Sequence, residues 1–307
     1  MATAGDRVAT QTRPPPSLSL DAFSPTDWLL LVGTALTWGS SFVWIEVALD
    51  SFAPTVITLI RMLFGAATLA CFRKARSKVD RSDLPAIALL GTLWMALPMS
   101  LFPVAQQWID SSLAGMINGG VPIFAALVSA TIMRRSPPRK TVIGITIGFI
   151  GVLLVGWPAV QGSNKMLLGS GLVLFAVACY GVALNIAGPL QQKYGALPVL
   201  LRAQLVALVL VLVPGLLGIS DSEFSVSSLA AIVPLGCLGT GLAFVWMTTL
   251  VGRVGAARGS VTIYFVPVIA IALGAIFRND DIALVSLAGT LLVIGGAFLT
   301  SRAQRPA

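Results

Sequence analysis

Few side chains in this sequence could do chemistry, and most of them sit where polar groups are costly. Glu46 and Arg61 fall inside apolar stretches, as do Trp38, Ser41, Trp44, Trp94, Asn118, Tyr180, Asn185, Trp246 and Tyr264. The set lacks the parts of a catalytic centre. Histidine is absent, which removes the commonest metal ligand and the ordinary near-neutral proton carrier. No close pair of acids lies in an apolar stretch, so a membrane enzyme is disfavoured. No phosphate-binding loop occurs, which excludes an ATP-driven pump within this chain. Neither charge rings nor repeated carbonyl filters, the marks of a channel, are visible. What remains is recognition. Arg61 could hold an ion partner or a solute carboxylate, the aromatics could line an amphipathic cavity, and the amides could bind solute or bridge helices.

The elements that hold these residues are membrane spans. Of 307 residues, 56% are hydrophobic and 10% charged, whereas a soluble domain carries about 25% charged residues. The charges cluster between apolar runs of about the 20 residues that a helix needs to cross the hydrocarbon. The runs predict ten spans: 28–48, 54–72, 84–104, 111–133, 141–158, 167–187, 197–219, 229–251, 259–277 and 282–300. They are continuous rather than alternating, which argues against strands. Residues 1–26, with Pro14-Pro15-Pro16, read as a disordered cytoplasmic tail. Cys71, Cys179 and Cys237 form no disulfide framework and read as packing residues.

The basic residues sort by loop. With the N-terminus inside, inside regions hold 16 of the 20 Lys and Arg, outside loops only Lys165 and Arg278, and two (Arg61 and Arg202) lie in spans. The bias places both termini in the cytoplasm and the chain in the cytoplasmic membrane. It also accounts for the net charge of +8 without nucleic acid. The expected partners are lipid bilayer and a small-molecule substrate. The sequence calls for no cofactor or metal and leaves monomer and homodimer open.

Depth ranks the candidates. Arg61 lies about 10 Å below the outer boundary and Trp38 about 15 Å from the inner one, close to the midplane. Glu46, near the outer end of the first span, could pair with Arg61 or bind the coupling proton. It could equally be an outer-rim residue. Arg202 sits near the inner end and can snorkel to the cytoplasm.

The second half of the chain echoes the first. A shift of 145 residues sets Gly91 on Gly236, Pro122 on Pro267, Gly144 on Gly289 and Gly151 on Gly296. Slightly different shifts align Trp38-Gly39 with Tyr180-Gly181, and Leu59-Ile60-Arg61 with Leu200-Leu201-Arg202. The expected organisation is all-α, with two five-helix repeats over 27–158 and 159–302. An odd number of spans per half inverts the second repeat, a device of secondary transporters.

Several motifs carry a family resemblance. Thr37-Trp38-Gly39-Ser40-Ser41-Phe42 is similar to the first-helix motif of the EamA family of the drug/metabolite transporter superfamily. Pro54 with Arg61, Ala114 to Leu127 with Pro122, and Gly239-Thr240-Gly241, Arg253, Gly255-Ala256, Tyr264 and Pro267 resemble later family motifs. The resemblance implies two inverted five-helix halves around a central cavity and solute movement without ATP. Family members often carry an acid at the inner end of the fourth helix; here Met133-Arg134-Arg135 stands in its place. At the outer end of the ninth, Phe277-Arg278-Asn279-Asp280-Asp281 keeps it. One well-placed cation is few for a sugar-phosphate or nucleotide-sugar, and a drug-cation exporter would want a deep carboxylate. The expected solute is therefore an amino acid or similar neutral or zwitterionic metabolite, moved by efflux.

Overall fold

A computed structural model describes residues 23–133 and 138–303; the Arg134-Arg135 position lies outside them. Among the described residues all regular structure is helical. Seven helices are long and apolar enough to cross a membrane, and three more are shorter apolar helices. In chain order they are α1 (Pro25–Leu49), α2 (Pro54–Ala70), α3 (Arg81–Ala105), α4 (Ser111–Thr131), α5 (Arg139–Gln161), α6 (Asn164–Tyr194), α7 (Ala196–Asp221), α8 (Val226–Val254), α9 (Val261–Phe277) and α10 (Leu284–Thr300).

Local chemistry sets the helix ends. Ser24 caps α1 through a capping box with Asp27, and Pro25 occupies the first turn, where its missing N–H loses nothing. Ordered structure thus reaches into the stretch read as tail. Pro54 opens α2 in the same way. The α4 segment breaks at Gly119-Gly120, between pieces Ser111–Asn118 and Val121–Met133. Asn279 turns the chain after α9 with φ 56°, a left-handed conformation that Asn tolerates better than most residues.

The loops separate into a basic end and an acidic end. At the basic end Lys193 pairs with Asp80 at 3.0 Å and Asp83 at 2.9 Å, and Arg253 pairs with Asp27. Arg202 donates to Ser77 O at 2.6 Å and Pro198 O at 3.1 Å, the snorkelling expected of it. At the acidic end Glu223 N reaches Ser51 O at 2.8 Å and Ala53 N reaches Ser222 Oγ at 2.9 Å.

Packing contacts swap between positions that the sequence echo pairs. In α5 and α10, a Cβ on Gly151 would lie 2.6 Å from Gly289 O, and one on Gly144 would lie 2.7 Å from Gly296 O. The order of these contacts makes the two helices antiparallel. Both crossings need glycine, because the backbones touch. In α3, Gly91 faces Ala203 and Val206 of α7; in α8, Gly236 faces Arg61 and Phe64 of α2. Likewise Gly39 of α1 faces Ile269 of α9, and Gly181 of α6 faces Phe124 of α4. A π-helical segment covers Gly91–Ala96 in α3, and another covers Leu235–Leu242 in α8. The 145-residue shift carries the first into the second.

These contacts correct one alignment. Arg61 and Ala203 occupy equivalent places, as do Phe64 and Val206, and both pairs stand 142 residues apart. The Arg61–Arg202 alignment was therefore one residue out of register.

Candidate solute-binding cavity

A cavity of about 150 Å³ lies among α1, α2, α3, α4, α6, α8 and α9. Six of the residues expected from the sequence line it: Trp38, Ser41, Arg61, Trp94, Asn118 and Tyr180. The rest of the wall is mostly apolar and includes Phe42, Phe102 and Phe244. Trp38 donates Nε1–H to Gly239 O at 3.1 Å and meets Phe244 edge-on at 5.4 Å between centroids. Trp94 meets the same Phe244 ring at 5.7 Å and 89°. Tyr180 stacks on Phe102 at 6.2 Å. Edge-on and offset aromatic pairs hold ring positions better than area burial alone.

The lining contains residue pairs related by the sequence echo. Trp94 and Gly239, Met99 and Phe244, Asn118 and Ile263, and Val121 and Val266 all line the cavity, and each pair is 145 residues apart. Trp38 and Tyr180, and Phe42 and Leu184, add two pairs at 142.

Arg61 breaks this correspondence, since its equivalent is Ala203. The side chain is 6% exposed. Its Nε donates to Thr240 Oγ1 at 2.7 Å, and that hydroxyl donates to Leu235 O at 3.0 Å, five residues back. The π-helical winding of α8 over Leu235–Leu242 brings the carbonyl five residues back to the place that the i−4 carbonyl holds in an α-helix, where Thr hydroxyls ordinarily donate. Gln204 Nε2 completes the support by donating to Thr240 O. The terminal nitrogens of Arg61 make no hydrogen bond among the described residues.

Other expected site residues stand elsewhere. Asn185 donates to Ala125 O at 3.0 Å and Gly181 O at 2.9 Å, bridging α6 and α4. Tyr264 donates to Ala297 O at 3.1 Å. Trp246 packs on α1 at Gly33, and Trp44 packs against the core around Phe42 and Ile45. Glu46 is not beside Arg61. It accepts from Arg278 Nε at 2.9 Å and from Ser111 N at 3.2 Å. With Asp50, Gln106, Asp221, Glu223 and Arg278 it borders a separate polar vestibule of about 840 Å³ at the acidic end. There Asp280 accepts from Ser112 N at 2.8 Å and Ser111 Oγ at 2.9 Å, a carboxylate placed at the positive end of α4. Residue-by-residue reading missed Phe244, Met99, Ile263 and Thr240. Carrying Trp94 and Asn118 through the 145-residue shift would have located Gly239 and Ile263.

A multi-helix apolar bundle with an amphipathic chamber at its centre is the architecture of a membrane transporter. The profile of the EamA-like transporter family matches residues 27–157 and 167–302, and the chain belongs to that family. It is 26% identical over 269 residues to an uncharacterized transporter of Bacillus subtilis, covering 86% of this chain and 87% of that one. It is also 26% identical over 285 residues to a probable terminal-alkyne amino-acid exporter of Streptantibioticus cattleyicolor, covering 90% and 93%. A probable amino-acid metabolite efflux pump of Salmonella typhimurium matches at 24% over 290 residues, covering 90% and 95%. One solved crystal structure superimposes with TM-score 0.64 at 17% identity, over 92% of this chain and 99% of that chain, a likeness of fold alone.

Proposed function

We propose that the protein is a secondary transporter that exports a small amino acid or similar neutral or zwitterionic metabolite by alternating access. It lies in the cytoplasmic membrane with both termini inside. Two inverted five-helix halves, 27–158 and 159–302, rock about the cavity between them. Trp38, Ser41, Arg61, Trp94, Asn118 and Tyr180 contact the solute.

The observation that carries this reading is the paired lining. Residues related by the internal shift meet at one chamber, so two near-equivalent packings of the halves can expose it to opposite sides. The antiparallel α5–α10 crossing, the swapped α3–α7 and α8–α2 contacts and the double family match support the inverted halves. Two relatives named for amino-acid export support the solute class. A single cation in the lining disfavours sugar-phosphates and nucleotide-sugars, whose several charges call for several donors.

The test is efflux of labelled amino acids from proteoliposomes. Trp38→Ala, which removes both the Gly239 hydrogen bond and the Phe244 contact, should abolish transport while the protein still inserts. Undiminished efflux by that variant would remove the cavity from the pathway.

A further inference from the structure

The cavity has an unusual charge balance. Among the described residues Arg61 is its only formally charged lining residue, and no Asp or Glu lines it. The guanidinium spends one donor on Thr240, and its terminal nitrogens have no partner among the described residues. They are not among the sealed, unsatisfied buried atoms, and Arg61 lines the chamber. Neither the Tyr180 hydroxyl nor the Trp94 indole N–H has a hydrogen-bond partner among the described residues, and Trp38 already occupies Gly239 O. The free polar groups are thus mainly donors around one cation, in an aromatic wall. A buried cation without a counter-charge is destabilising until an anion joins it, and a guanidinium fork matches a carboxylate in two parallel hydrogen bonds. The other half contributes only Ala203 at the equivalent place, so the chamber has one charged pole.

We propose that Arg61 is the carboxylate anchor of the cavity, which takes small monocarboxylates with an apolar or aromatic body and selects them by the carboxylate rather than by an amine. This rests on the reading of the cavity as the solute site. A zwitterionic amino acid enters by virtue of its carboxylate, and its ammonium finds only neutral acceptors such as the Asn118 amide and aromatic faces. An organic acid without the amine binds comparably, and an amine without the acid does not.

The experiment uses the full chain in lipid nanodiscs and four probes that share one ring: phenylacetate, L-phenylalanine, 2-phenylethylamine and 2-phenylethanol. Binding is read by titration calorimetry, with indole fluorescence as a second signal. Phenylacetate and L-phenylalanine are expected to bind with similar affinity, and phenylethylamine at least about tenfold more weakly, the scale of a charge-assisted hydrogen bond. Arg61→Gln should weaken both carboxylates by at least about tenfold and leave phenylethanol unchanged. Equal binding of amine and acid by the unmodified protein overturns the anchor, as does a failure of all four probes to bind, and neither result depends on a variant folding. Unchanged carboxylate binding by Arg61→Gln also overturns it. If the carboxylates bind as expected but Trp38→Ala still exports, the anchor stands and the transport reading falls.

Discussion

Arg278 Nε lies 2.9 Å from Glu46 Oε1, and the contact ties the end of α9 to α1. Arg278 also reaches Asp50, at 3.1 Å, while Glu46 and Asp280 take hydrogen bonds from the first residues of α4. Three helices are thus latched at the acidic end by side chains outside the cavity wall.

For Glu46, this arrangement argues for a latch over a proton carrier. Glu46→Gln is expected to match the parent both in exchange of labelled for unlabelled solute and in its response to an imposed pH gradient. It should raise thiol labelling of a cysteine placed at Ser41 from the acidic side. Loss of the parent's response to the gradient with exchange intact would return Glu46 to the coupling role.

Asp110 lies in the loop before α4. Its carboxyl is held above the usual Asp range by partial burial first, then by the neighbouring Asp280, Glu46 and Asp281. The folded state therefore holds that proton more tightly than the unfolded chain. The associated stability is fully present below the unfolded value of about 3.9 and is lost as pH rises through the folded one. Asp110→Asn should remove that loss. The difference in Tm between variant and parent should grow in the variant's favour as pH rises across this window, and a difference independent of pH would contradict the assignment.

Thr240 holds Arg61 from behind the cavity wall, which it does not line. Thr240→Val removes the acceptor for Arg61 Nε, which should cost about 1–3 kcal/mol for a buried donor left unpaired. Thermal unfolding in detergent reads the stability loss. Phenylacetate affinity should fall while phenylethanol affinity holds, a split that a purely structural defect would not produce.

Orientation is open to labelling in whole cells. Lys140→Cys at the basic end should react only with reagents that reach the cytoplasm, and Ser220→Cys at the acidic end should react with impermeant ones. The reverse pattern would invert the topology.

The sequence by itself determined that the chain is a bundle of apolar helices with its charges at the ends, and it marked Trp38, Arg61, Trp94, Asn118 and Tyr180. Both follow from a local cost: each charged residue in a span is expensive on its own, so the span and its rare polar members are visible without knowing any neighbour. Only the tertiary structure decided where those residues point. A helix apolar on all sides has no stripe to show which face meets the chamber, so Trp246 and Tyr264 could not be told from Trp38. Register was hidden for a related reason. Matches among Leu, Ile and Val are cheap, and the one-residue slip between Arg202 and Ala203 came to light only where Gly91 and Gly236 meet α7 and α2 backbones. Partner choice lay further still from sequence. Glu46 and Arg61 share the same half of the chain, yet Glu46 pairs with Arg278 and Arg61 with Thr240, 232 and 179 residues away, because helix packing alone brings such distant side chains within hydrogen-bond reach.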